Sequence, residues 1–199
     1  MQSSLDWIGF ALFLTMVAFW LGFTVIFVLH KKPPKTAERI RDPKSLAGLR
    51  LQSIAYVLSW IIPRANFGPI ISMPKWAEII VAVIAIVVAA FSLWLMWRAI
   101  VTLGKQWAYV ARIVEGHNLV TEGPYGLVRN PIYTGMFGML VATGLAASRW
   151  PSFLAAIVIF LFGTWVRIRR EESLLRQSFG AEFEAYCSRV PALFPGLFR

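Results

Sequence analysis

Charge is scarce in this chain, and acid is scarcer than base. Only 15% of its 199 residues are Asp, Glu, Lys or Arg, against about 25% in typical soluble domains. The ten acids are outnumbered by twenty bases, and there are only two histidines. Cysteine is all but absent. Cys187 alone excludes an intrachain disulfide and leaves no cysteine pair for a metal site. No glycine-rich strand–turn–helix fingerprint occurs, so a Rossmann-type cofactor domain is not expected. Internal repeats and low-complexity segments are missing too. A cleavable signal peptide is also absent: the first apolar stretch is too long for an h-region and lacks a basic n-region, so it is expected to be a retained anchor.

What is present is apolar. Hydrophobic residues make up 58% of the chain, with nine Trp and fifteen Phe. A soluble protein of this size has too little interior to hide that much apolar surface, so lipid must solvate much of it. A membrane-crossing helix needs roughly 20 apolar residues, with about 17–25 tolerated. Trp7 to Leu29 meets this without a charge, and Trp76 to Trp97 does so with Glu78 at its edge. Leu51 to Ile62 reaches spanning length only if Leu46 to Arg50 joins it, with Arg50 snorkelling. Ile132 to Ala147 and Pro151 to Val166 are two shorter spans, parted only by Ser148, Arg149 and Trp150, which predicts a tight antiparallel hairpin. The expected fold is all-α and integral to the membrane, with about five transmembrane helices and a cytoplasmic C-terminal helical segment. It forms one membrane domain over 1–199, the first three spans in 1–97 and the cofactor-binding and catalytic region in 98–199.

The bases are placed between apolar runs, not along one polar face, which argues for juxtamembrane loops and against nucleic acid. Lys31, Lys32, Lys35, Arg39, Arg41, Lys44 and Arg50 follow the first span, and Arg98, Lys105, Arg112 and Arg129 follow the third. The tail holds Arg167, Arg169, Arg170, Arg176, Arg189 and Arg199, whereas the opposite side receives only Arg64, Lys75 and Arg149. The positive-inside rule then puts the N-terminus outside and the C-terminus in the cytoplasm.

Three polar clusters carry the candidate chemistry. The loop His117-Asn-Leu-Val-Thr-Glu-Gly-Pro-Tyr125 has turn chemistry at Gly123-Pro124 and reads most simply as a linker. Arg129-Asn-Pro-Ile-Tyr-Thr-Gly135 opens the fourth span. Asn130 there is a good N-cap and Pro131 suits the first helical position. The same helix start would offer free N–H groups to a carboxylate or phosphate, with the Arg129 guanidinium beside it. In Arg167-Ile-Arg-Arg-Glu-Glu172, Glu172 falls in line with Ile168, Leu175 and Phe179 on one helical stripe. A carboxylate on an apolar stripe must be paired or hold a cation, and Arg176 or Arg169 is the simple partner. Glu171 reads as a surface residue.

Together with Phe179-Gly180 and Tyr186, these motifs resemble, in order and at the right spacing, the isoprenylcysteine carboxyl methyltransferases, whose wider group includes membrane phospholipid methyltransferases. The resemblance covers about half the chain, from roughly Gly104 onward. It implies a transmembrane enzyme that uses S-adenosylmethionine without a Rossmann domain, with a lipophilic or prenylated acceptor entering from the bilayer. On that resemblance His117, Leu119, Val120, Gly123 and Tyr125 would line the adenosine side. Arg129, Asn130 and Tyr133 would lie near the methionine moiety, Glu171 or Glu172 would hold its ammonium group, and Arg167 would face the acceptor carboxylate. Arg129, Arg167 and Glu172 are the expected catalytic residues, and no metal is expected.

Asn130 departs from the family, which usually shows His there. Asn keeps a donor and an acceptor but does not titrate. That suits an acceptor that arrives ionised, such as a carboxyl group with a pKa of about 4, which needs no general base. The expected reaction is direct attack on the sulfonium methyl, in what the short chain suggests is a bacterial inner membrane. Other readings are methylation of a phospholipid or other small lipid, an NADPH-dependent reductase like the sterol reductases, or a non-enzymatic membrane protein.

Overall fold

The structure, a computed structural model, describes residues 6–30, 38–61, 64–114 and 118–196. The fold class expected from the sequence is the one observed: apolar helices dominate. α1 spans Trp7–Leu29, α2 Ser45–Ile61, α3 Lys75–Leu103, α4 Pro131–Ala146, α5 Trp150–Phe179 and α6 Ala181–Arg189. Among the described residues α1, α3 and α5 are long and apolar enough to cross a membrane, and α4 is a shorter apolar helix. α2 has 17 residues and α4 has 16, at the lower edge of the spanning range.

Large apolar side chains point outward all round. Leu21, Val25, Val57, Val83, Val87, Phe91, Val158 and Phe162 are exposed on four different helices. Small and flexible residues face inward instead: Met16, Ala55, Ala85, Ala89, Met96, Met139, Leu140 and Phe160 are fully buried. An inside-out pattern of this kind has lipid as its solvent, and close packing of small residues as its cohesion.

Three helices run beyond their apolar stretches. α2 begins at Ser45, so the helix does include Leu46 to Arg50. α3 runs on past Trp97 to Leu103. α5 continues past the apolar run, as the helical stripe of Ile168, Leu175 and Phe179 predicts, unbroken through Arg167, Glu171 and Glu172 to Phe179, where Gly180 takes a φ of +49° and turns the chain into α6. The apolar run ends near Val166, and the same backbone ladder carries on into polar sequence.

The α4–α5 connection is short, as predicted, but the two helices are not each other's main neighbours. α5 packs most extensively along α2, and α4 along α3. At the α2–α5 crossing the backbones nearly touch: a Cβ on Gly163 would lie 2.8 Å from the Gly48 carbonyl oxygen, and one on Gly48 only 2.4 Å from the Gly163 carbonyl oxygen. Polar ties join the bundle elsewhere. Tyr56 donates to the Met136 carbonyl at 2.8 Å, and Trp20 Nε1 donates to Thr143 Oγ1 at 2.9 Å.

One element was not anticipated. β1 (Glu38–Asp42) and β2 (Ala111–Val114) pair antiparallel, with Arg41 opposite Arg112 and Asp42 opposite Ala111. Two short, arginine-bearing segments far apart in the chain show no local periodicity, so their pairing is a tertiary event. Arg170 reaches Asp42 at 3.9 Å and ties α5 to this ribbon. At the opposite end of the bundle Lys75 Nζ lies 2.8 Å from both Asp6 and Glu78, and Arg64 Nη2 donates to the Leu145 carbonyl at 2.7 Å.

Candidate functional site

A cavity of about 480 Å³ lies at the α4 N-terminus, walled mainly by α1, α2, α4 and α5. One end is charged. Arg129, Asn130, Tyr133, Arg167, Glu171 and Glu172 line it, with Tyr125 and Tyr186. The other end is aromatic: Trp20, Phe23 and Phe27 of α1, Tyr56 of α2, and Trp107 and Tyr109 from the segment after α3. Phe27, Trp107 and Tyr109 pack as a trio with ring centroids 4.8–6.0 Å apart.

Both glutamates of the charged end are ion-paired to an arginine of the cavity lining, Glu172 to Arg129 and Glu171 to Arg167. Glu172 is buried and accepts from Arg129 Nε at 3.0 Å and Nη2 at 2.9 Å. Arg176, the partner suggested by helical spacing, is also in reach, but at 3.5 Å. The close partner comes from 43 positions away, which spacing along one helix could not reveal. Arg129 also donates through Nη1 to the carbonyls of Cys187 and Val190, closing the C-terminal end of α6. Glu171 is paired rather than a plain surface residue. Tyr133 donates its hydroxyl to Glu171 Oε1, and Arg167 Nη2 lies 3.4 Å from the same oxygen. Arg167 is 5% exposed. It donates to the Tyr133 hydroxyl at 2.8 Å and to the Tyr109 carbonyl at 2.8 Å, with its guanidinium carbon 5.0 Å from the Tyr133 ring centroid. Gly48 makes room for this side chain, since a Cβ there would sit 2.5 Å from Arg167 Cγ.

The α4 N-terminus differs from the sequence reading. Asn130 holds the N-cap position but makes no side-chain capping bond. Its Nδ2 instead donates to the Ala192 carbonyl at 3.0 Å, and its backbone N–H goes to the same oxygen at 3.1 Å. Arg129 N–H donates to Pro191 O at 2.8 Å, and Thr134 Oγ1 to Leu193 O at 2.6 Å. The segment after α6 thus takes the N–H groups of Arg129 and Asn130, just ahead of the helix, and the Thr134 hydroxyl.

Of the loop residues, Leu119 and Val120 line the cavity, as does Asn118, whose N–H donates to Gln106 Oε1 at 2.9 Å. Gly123 is not in the lining. At φ +58° it opens the tight turn Gly123–Gly126 that delivers buried Tyr125 to the wall. His117 lies outside the described residues. Tyr186 donates to the Tyr125 carbonyl at 2.6 Å, and burial raises its phenol above the ordinary range, so it stays a protonated donor. Burial likewise raises the neighbouring Cys187 thiol, with Arg129 opposing the effect.

The sequence reading missed the α1 and α2 wall. One signal was available there: Gln52 is an uncharged polar residue inside an apolar span, which is costly without a purpose. The aromatics carried no such signal, because an aromatic in a membrane helix is ordinary. Among the described residues no group of three or more His, Cys, Asp or Glu could hold a metal ion.

The arrangement pairs a charge-balanced, hydrogen-bonded end with an aromatic end in one cavity. It suits a zwitterionic group at one end and an apolar chain at the other. Comparison with known proteins agrees in kind. The sequence profile of the family described as Phospholipid methyltransferase matches residues 79–182. Protein-S-isoprenylcysteine O-methyltransferase B of Arabidopsis thaliana is 37% identical over 100 residues, covering 49% of this chain and 50% of that protein. Protein-S-isoprenylcysteine O-methyltransferase of Schizosaccharomyces pombe is 32% identical over 100 residues, covering 49% and 42%. The nickel-cobalt-cadmium resistance protein NccN of Alcaligenes xylosoxydans xylosoxydans is 39% identical over 101 residues, covering 48% and 45%. The chain spans about half the length of the curated relatives it matches.

Proposed function

The chain belongs to the phospholipid methyltransferase family, and on that premise we propose that it is a membrane methyltransferase. In this reading it takes S-adenosylmethionine as donor and a lipophilic carboxylate of the isoprenylcysteine type as acceptor. The observation that carries the reading is the single cavity with one charged and one aromatic end. Two substrates of opposite character need to meet in one water-poor place, and such a cavity meets that need.

The residues present fit the donor. Its methionine end is a zwitterion, and the polar wall offers Glu171 and Glu172 beside Arg129 and Arg167. Glu171 and Glu172 would hold the ammonium group, with Arg129, Asn130 and Tyr133 near the carboxylate. Leu119, Val120 and Tyr125, with Gly123 shaping the turn and His117 in the same loop, would hold the adenosine. When bound, the cofactor supplies an electrophilic methyl group. The chain's own work is positioning: the Arg129–Glu172 and Arg167–Glu171 pairs hold both carboxylates in fixed rotamers before any ligand arrives. Arg167 would orient the acceptor carboxylate. No proton has to be removed from it, which accords with the non-titrating Asn130.

A phospholipid amine is the second reading. The observation in its favour is Glu171, a carboxylate on the cavity wall that would sit beside the amine as its general base. The charge distribution supports an N-terminus outside and a C-terminus in the cytoplasm, which puts the charged end at the cytoplasmic face of a bacterial inner membrane. α1 and α2 both line the cavity and meet through aromatic rings, Trp20 and Phe23 against Tyr56, and the acceptor's chain would enter beside this aromatic seam.

Calorimetry in detergent tests the class of enzyme. S-adenosylhomocysteine is expected to bind and NADPH not to. Binding of NADPH would support a reductase, and binding of neither would sink the enzyme reading. Mass spectrometry of lipid extracts incubated with the protein and methyl-labelled cofactor then separates a carboxyl ester from an N-methylated lipid.

A further inference from the structure

Gln52 has one half of its amide unspent. The side chain is fully buried, and Nε2 donates to Thr164 Oγ1 at 2.8 Å, while Oε1 has no hydrogen-bond partner. Burying an amide oxygen without a donor is costly, and natural proteins rarely tolerate it. The other two such atoms among the described residues, Arg64 Nε and Glu78 Oε1, border a small void at the far end of the bundle. Gln52 alone of the three lines the main cavity.

The polar groups on either side of it along α2 are engaged elsewhere. One turn before it on α2, Gly48 meets Arg167, whose Nε and Nη2 donate to Tyr133, the Tyr109 carbonyl and Glu171. One turn after it, Tyr56 donates its hydroxyl to the Met136 carbonyl. Gln52 therefore stands between the charged end, marked by Arg167, and the aromatic end, marked by Tyr56. An occupant of the cavity can supply a donor for Oε1, reached by rotation of the amide about its soft terminal torsion.

We propose that Gln52 Oε1 is a specificity-determining contact for the acceptor. It takes a hydrogen bond from an N–H or O–H carried where the acceptor's polar head joins its apolar chain. The inference rests on the methyltransferase reading above and narrows it: an acceptor that is only a fatty acid-like carboxylate lacks this donor, whereas an acylated isoprenylcysteine presents an amide N–H beside its carboxylate.

Two probes test it: N-acetyl-S-farnesylcysteine and the analogue in which an ester oxygen replaces the amide N–H. The native protein is expected to prefer the amide by about tenfold in kcat/KM, the worth of one hydrogen bond to a buried group, with the difference in KM. In Gln52→Leu that ratio should fall to near one while S-adenosylhomocysteine still binds. A native ratio near one, or an unchanged ratio in Gln52→Leu, overturns the assignment. If Gln52→Leu does not fold, Gln52→Met, which keeps the length and removes the amide, is read the same way. Methylation of neither probe, with S-adenosylhomocysteine still bound, overturns the isoprenylcysteine-type acceptor and Gln52's role with it. Loss of cofactor binding in the native protein overturns the methyltransferase reading itself.

Discussion

At the scale of single residues, the site depends on charges that neutralise one another inside a low-dielectric wall. Glu172 and Arg129 are both nearly buried, with side chains 10% and 9% exposed. Removing one partner of such a pair costs about 3–5 kcal/mol, because the other is left buried and alone. Glu172→Ala is therefore expected to abolish S-adenosylhomocysteine binding and to lower the thermal midpoint. Glu182→Ala, on the exposed face of α6, should leave both intact. Calorimetry and thermal unfolding in detergent read the two variants side by side, and equal effects would refute the assignment of Glu172. Glu172 was legible in sequence as an odd carboxylate on an apolar stripe. Its close partner was not, because Arg129 lies on a different element and only the fold brings it to α5. Asn130 shows the reverse: the sequence marked the position correctly as a helix start, but its side chain serves the segment after α6 rather than the helix.

At the scale of elements, the α2–α5 contact sets the shape of the cavity. Gly163 and Gly48 let the two backbones approach until there is no room for a methyl group. Alanine would favour an isolated helix over glycine by about 1 kcal/mol. Overpacking at a crossing with rigid backbone neighbours costs about 1–3 kcal/mol, and that effect should win. Gly163→Ala is thus expected to lower the thermal midpoint in detergent. Gly22→Ala should not, because a Cβ there meets only Leu93 Cδ1, the tip of a flexible side chain, at 3.1 Å. A stabilised Gly163→Ala would show that the close approach does not hold the bundle together. Helix existence and type were plain from apolar run length. The far end of α5 was legible in the stripe of Ile168, Leu175 and Phe179, whereas the run of α3 to Leu103 was not, because Arg98 interrupts its apolar sequence.

At the scale of the whole molecule, the exposed apolar belt requires a bilayer, and the charge asymmetry proposes which way the chain sits in it. In a Cys187→Ser background, a cysteine at Arg149 is expected to react with a membrane-impermeant maleimide from outside intact cells. A cysteine at Glu182 should react only after the membrane is opened. Both positions are exposed, so failure to label would not be a matter of burial. The opposite pattern would invert the topology.

The sequence by itself determined that this is a helical membrane protein and roughly where its helices run. It also placed the polar motifs of the second half in order, and it did so through run length, charge placement and motif spacing, which are local along the chain. The tertiary structure decided which glutamate meets which arginine, that α1 and α2 supply the aromatic wall, and that Gln52 is left with an unspent acceptor. Those facts depend on which helices pack together, and packing among uniformly apolar helices is settled by close contacts such as Gly48 against Gly163, which leave no periodic trace in the sequence.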